Sequence, residues 1–299
     1  MPASTRSVDR VTQHKGHQGL RRVQALHAQA LRLTSQGRYS QATVAFVRAI
    51  SLTNARSASY RPILATILND FGVLSKYAGR FARAKRLYER ARRLIPRKDP
   101  RFKEFRATLY HNLAGLEHAR GQHARALLYA RRGVQLRRKL GGRDRLLLLA
   151  DQAALAAILV ELGKLPEAEA IHLRVLRVYR RKFGPRHYET ASLLSNLGAL
   201  YLKAERFDAA ERTLRRAARV LESVLGKNHL RLASVLNNLA ALCARRGKFS
   251  EADALYARVL RLLVRQLNPT YPSLALVRAN MRQMQGKWGA SRRRISEDS

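Results

Sequence analysis

The stretch VLNNLAALCARRGKFSEADALYARVLRLL, residues 235–263, decides how this chain folds. Before Gly247, the residues Leu236, Leu239, Ala240 and Cys243 recur at i, i+3, i+4 and i+7, the apolar stripe of one helix. After it, Ala252, Leu255, Tyr256, Val259, Leu260 and Leu263 draw a second stripe. Between them stands a glycine, the residue that adopts a left-handed backbone at least cost. The spacing therefore predicts two helices joined by a tight turn. Ser250, and Asp208 at the equivalent turn, are placed to cap the second helix.

The same turn recurs with a period of 42, at Gly37, Gly79, Gly121, Gly163 and Gly247, with Glu205 in the remaining place. Five residues on come Ala42, Ala84, Ala126, Ala168, Ala210 and Ala252 without exception. Small residues precede the turn at a fixed distance (Ala30, Gly72, Ala114, Ala156, Gly198, Ala240). Nine residues after it stand Phe46, Tyr88, Ala130, His172, Leu214 and Tyr256. Small side chains at one fixed position let helices approach, and large ones at another fill the space around them. Six copies of one helical hairpin stacked on each other follow from this pattern. The first copy is degenerate, with Arg32 where the others carry an apolar residue. At the other end Asn280 and Met284 fall one period after Asn238 and Leu242, so 273–285 reads as an unpaired seventh first helix that caps the array. Trp288 is placed to close that end.

The 299 residues include 59 basic and 20 acidic side chains, a formal charge of +39, and 47 of the basic residues are arginine. Such a field attracts acidic proteins, nucleic acid or anionic membranes, and a coding bias toward arginine produces the same count. One cysteine, Cys243, rules out a disulfide within the chain and suits a reducing compartment. With no signal-like or membrane-length apolar run, a cytoplasmic location is expected. Residues 1–19 and 286–299 are polar and basic and are expected to be disordered, which leaves 20–285 as the repeat array.

The pattern of large apolar residue, Leu-Gly or Leu-Ala, turn, invariant alanine and aromatic resembles the tetratricopeptide repeat. The usual unit of that repeat is about 34 residues long. The period here is longer, at 42. With Gly-Lys-Phe at 247–249 and the linkers Phe183-Gly184-Pro185-Arg186-His187 and Leu225-Gly226-Lys227-Asn228-His229, it is similar to the repeats of the kinesin light chain. No heptad segment of the kind that joins a motor's heavy chain is present. The resemblance implies an all-α, right-handed superhelical solenoid whose first helices line a concave groove. It also implies a non-enzymatic scaffold, without cofactor or metal, that holds an extended peptide of a partner protein, and the basic balance favours an acidic one.

By that resemblance the groove positions include Asn69, Asn112, Ser192, Asn196, Lys203, Ser234, Asn237, Asn238 and Arg245. An amide carries both donor and acceptor, so asparagine can pair with an extended backbone whatever its sequence. The same asparagines can instead bridge neighbouring helices. The fourth repeat places Ala150, Ala153, Ala154 and Ala157 at these positions, either a seat for a large apolar anchor or tight packing. Lys and Arg number seven in the sixteen residues before the turns of repeats two to six, and thirty in the twenty residues after them. The positive charge thus belongs to the second helices on the convex side, in pairs such as Arg92-Arg93, Arg131-Arg132, Arg137-Arg138, Arg180-Arg181 and Arg215-Arg216. Binding of nucleic-acid phosphates by this band is the alternative function. His111, His118 and His123 lack a third ligand at zinc spacing, and Cys243 sits at a core position.

Overall fold

A computed structural model describes residues 4–53, 57–141, 145–266 and 272–297. Thirteen α-helices follow one another among these residues. They are α1 (Ser4–Ser35), α2 (Tyr39–Ser51), α3 (Arg61–Tyr77), α4 (Phe81–Leu94), α5 (Lys103–Ala119), α6 (His123–Arg138) and α7 (Arg145–Glu161). Then come α8 (Leu165–Phe183), α9 (Tyr188–Lys203), α10 (Phe207–Leu225), α11 (Leu232–Arg245), α12 (Phe249–Gln266) and α13 (Pro272–Glu297). Each odd helix packs on the next even one, giving six hairpins and a final unpaired helix. First helices also touch first helices, α1 on α3, α3 on α5 and so on to α11 on α13, while each second helix lies against the first helix of the next repeat. Closer spacing on one side than on the other curves the stack, so the odd helices line the inner face and the even helices the outer one.

All six turns share one geometry. The five glycines have φ between 70° and 74°, and Glu205 at φ 57° makes the same turn without glycine. Its amide donates to Leu202 O and that of Arg206 to Tyr201 O, the bonds that satisfy the last carbonyls of a helix ending in a left-handed residue. The next helix then starts at once, at Phe207 and Phe249 in the last two turns. Asp208 and Ser250 therefore fall inside the first turn, too late to cap. The residue before α10 is Arg206, whose side chain makes no capping bond. A side-chain cap is found instead at the linker before α9, where His187 Nδ1 accepts from Glu189 N at 3.2 Å, and in the linker before α11 His229 Nδ1 accepts from Arg231 N at 3.1 Å, one residue short of the helix.

The small positions are small because a large side chain faces them. A Cβ on Gly72 would lie 2.4 Å from the Tyr88 ring, and one on Gly198 would lie 2.5 Å from Leu214 Cγ. The alanines five residues past each turn are fully buried. At the ends the helices exceed expectation. Helix α1 begins at Ser4, within the segment predicted to be disordered to residue 19, and α13 runs from Pro272 to Glu297, past the predicted 285. No proline interrupts residues 4–35 or 273–297. Once Val23, Ala30, Leu274 and Met284 are anchored in the core, extending an existing helix costs far less than starting one. Trp288 stacks near Phe249, with ring centroids 6.2 Å apart, and packs on the terminal core. Gly142, of the pair Gly141-Gly142, and the last two residues lie outside the described residues.

Candidate functional site

The concave face carries a ladder of polar side chains, and its rungs follow a spacing of 43. The residue ten before one turn reaches the residue nine before the next. His27 Nε2 meets Asp70 Oδ2 at 2.8 Å, Asn112 Nδ2 donates to Asn69 Oδ1 at 2.8 Å, and Asn280 Nδ2 donates to Asn237 Oδ1 at 3.4 Å. Asn69 also donates to Asp70 at 3.1 Å and is buried. Asn69 and Asn112 are thus occupied by each other, the bridging alternative that the sequence left open.

The ladder breaks in the middle. Residues 111 and 154 would be the next pair, but 154 is alanine, and His111 turns to Asp151 instead, Nδ1 to Oδ1 at 2.9 Å. Asp151 Oδ2 accepts from Arg137 Nε at 3.0 Å, and Arg137 Nη2 donates to Thr108 Oγ1 at 3.2 Å. The side chains of Arg137 and Asp151 are 2% and 5% exposed, so this is a buried ion pair. It places Arg137 in the interior and not on the convex band to which its neighbour Arg138 belongs. Spacing carried a signal that groove arithmetic does not use. In the repeat register, position 137 is matched by Ile95, Tyr179, Leu221 and Leu263, and position 151 by Leu109, Leu193, Val235 and Val277. Two charges of opposite sign break two apolar columns at the same junction.

Beyond that junction two amides, Asn196 and Asn238, are released, while Asn237 keeps its rung with Asn280. Ala153 cannot bond Asn196, and Ser195 makes no bond to Asn238. Asn196 is exposed and Asn238 half-buried, and neither has a hydrogen-bond partner among the described residues. Ser192 of α9 and Ser234, Asn237 and Asn238 of α11 line a recess of about 380 Å³ with an apolar side formed by Leu263 of α12 and Leu276 and Val277 of α13. The charged residue in its lining is Arg231, whose guanidinium lies 4.7 Å from the centre of the Tyr188 ring. At the turn end of the groove Lys203 and Arg245 are each held by an acid of the preceding repeat, Glu161 at 2.8 Å and Glu205 at 3.3 Å. Of the nine sequence-predicted groove residues, four therefore gather at one recess and Asn196 stands one helical turn beyond Ser192. Two form a ladder rung and two are ion-paired. Ala150, Ala153, Ala154 and Ala157 are half-buried.

On the convex side several arginines are matched by acids, Arg206 with Glu169 at 2.9 Å, Arg215 with Glu211 at 2.9 Å and Glu251 at 3.1 Å, and Arg258 with Glu222 at 2.7 Å. Arg246 pairs with both Asp208 and Glu211. Cys243 is buried, and burial, with Glu251 near it, pushes its thiol up to about 11, so it stays protonated. His118 and His123 stack edge to face at 5.2 Å, and burial, helped by His123, lowers the pKa of His118. Among the described residues no three metal-ligating side chains stand together, and no helix is long and apolar enough to cross a membrane.

A family model described as the tetratricopeptide repeat matches residues 105–181, 152–223 and 189–265. The chain belongs to the tetratricopeptide-repeat family, with a repeat period of 42 residues. Among curated proteins none matches the sequence. The fold is similar to that of the apo form of RapI, with a TM-score of 0.60 and 13% identity over 92% of this chain and 99% of that one. A Rap protein complexed with competence and sporulation factor gives 0.57 and 14% identity over 82% and 77%. BtubC (BKLC) from P. vanneervenii gives 0.50 and 22% identity over 73% and 91%.

Proposed function

We propose that this chain is a scaffold that holds an extended, acidic segment of a partner protein against the concave face of its last two hairpins. Family membership supports the coarse reading, a protein-binding scaffold. The finer reading is carried by Asn196 and Asn238, the groove amides that no neighbouring helix occupies. In this reading each offers a donor and an acceptor to a peptide backbone. An apolar side chain of the partner fills the recess beside Leu263 and Leu276, and an acidic one meets Arg231. The convex arginines raise the rate of encounter and contribute little to the contact itself. A cytoplasmic setting suits the lone reduced cysteine.

The test is selection from a random peptide library displayed on phage, against the full-length chain at physiological salt. The reading expects enrichment of acidic sequences with a recurrent apolar anchor. Enrichment of nothing, together with tight binding of a generic duplex or single strand at the same salt, would move the function to the arginine-rich convex band.

A further inference from the structure

We propose that a cleft at the junction of the second and third repeats binds a small organic phosphate carrying two or more negative charges. The cleft, about 340 Å³, opens between the end of α4, the linker after it, the start of α5 and the middle of α6. Arg92, Arg97, Arg106 and Arg132 line it, and the buried side chains of Ile95 and Leu109 form its floor.

The arrangement is more than a crowd of surface arginines. Arg106 is fixed, its Nη1 donating to Pro96 O at 2.8 Å and Asp99 O at 2.9 Å, which leaves its other donors for a ligand. The nearby carboxylate of Asp99 is taken up by Arg101, which grips both of its oxygens at 2.7–3.1 Å. Arg92 is braced by Glu89 at 2.8 Å. Arg97 and Arg132 are exposed and have no partner among the described residues. No carboxylate lines the cleft, so three guanidinium groups face one space uncompensated. Elsewhere on the same face some arginines are answered by an acid from an adjoining repeat, as Glu169 answers Arg206 and Glu251 answers Arg215. Arg177, Arg180 and Arg181 line another recess without an acid, and what distinguishes this junction is Arg106, held by two backbone carbonyls in the lining of a cleft with a buried apolar floor.

Planar guanidinium groups match phosphate oxygens in pairs, and three of them balance the charge of a diphosphate. The apolar floor gives the organic part of the molecule a surface to lie on, in a space of the size that small ligands occupy.

The probe is inorganic pyrophosphate, titrated calorimetrically into the full-length protein at about 150 mM salt, roughly the physiological ionic strength. Saturable binding at one site per chain is expected. It should weaken at least tenfold in the double variant Arg97→Gln/Arg132→Gln and change less than twofold in Arg174→Gln/Arg216→Gln. The second variant removes the same charge from exposed positions outside the cleft. All four residues are solvent-facing, and unchanged thermal melting by circular dichroism verifies that both variants fold. Vesicles bearing a phosphorylated inositol lipid form a second arm. Capture by them in the wild type and not in the cleft variant assigns the phosphate to a lipid headgroup, and pyrophosphate binding without capture assigns it to a free molecule. Absence of saturable binding, or equal loss in the two double variants, would overturn the site.

Discussion

The two ends of the concave face begin from the same sequence signal and finish differently. In the first three repeats polar groups of the groove find partners one repeat away: His27 with Asp70, Asn69 with Asn112, and His111 with Asp151. In the fifth and sixth, Asn196 and Asn238 occupy the same register as Asn112 and find none, because Ala153 and Ser195 stand where a reaching side chain would be needed. A groove position is thus defined as much by the residue one repeat and one place earlier as by its own identity. One end uses its polar groups to join repeats, and the other keeps the rung of Asn237 with Asn280 and leaves Asn196 and Asn238 without a partner among the described residues.

Several substitutions sharpen or break this comparison. The largest effect is expected at the junction between the two regions. Asp151→Ala strands Arg137 as an unpaired buried cation and should cost about 3–5 kcal/mol in urea unfolding. Arg137→Leu with Asp151→Leu, which restores the apolar columns of the other repeats, should recover most of that loss. A single-variant cost below about 1 kcal/mol would show that the ion pair does not hold the junction.

His172, in α8 of the same repeat as Asp151, is fully buried with both ring nitrogens unpartnered. Burial lowers its pKa from 6.5 to about 4. The unfolded chain therefore takes up the proton at a pH where the folded one refuses it, and stability falls as pH drops through the window from 6.5 to about 4. At about 1.4 kcal/mol per unit, the loss at the lower end is of order 3 kcal/mol. His172→Leu, which copies Leu214 at the same repeat position, should flatten that part of the pH profile. An identical acid slope in wild type and variant would contradict the assignment.

The comparison itself is tested by a matched pair. Asn69→Ala removes a rung and leaves the Asn112 amide unsatisfied, a cost of about 1–2 kcal/mol. Asn196→Ala removes an exposed side chain with no partner and should change stability by less than about 0.5 kcal/mol. Equal costs would erase the distinction between the two ends. A small change of the opposite sign is expected of Glu205→Gly, which relieves a left-handed residue and should raise stability by about 0.5–1 kcal/mol, less the exposed pair with Arg245.

Most of the fold was legible because repetition makes weak local signals agree. The glycine and alanine columns, the small-to-large pairing of Gly72 with Tyr88 and of Gly198 with Leu214, and the capping helix all follow from one repeat register. What the pattern missed was of two kinds. The ends extend as helix beyond the predicted array, since composition speaks to the stability of a segment alone and not to one propagated from a packed neighbour. The site was read from single positions, and so Asn69 and Asn112 were not separated from Asn196 and Asn238, although the pairing across repeats that separates them is present in the sequence. Arg137 was assigned to the convex face because it stands in a basic run, and the apolar column that it interrupts was overlooked.

The measurement that bears most directly on the account is the affinity of a selected peptide for the double variant Asn196→Ala/Asn238→Ala, taken beside its melting temperature. The account predicts at least a tenfold loss of affinity with melting unchanged within about 2 °C, since less than about 0.5 kcal/mol separates such surface variants. Unchanged affinity in a folded variant would show that the open end of the groove is not where this protein holds its partner.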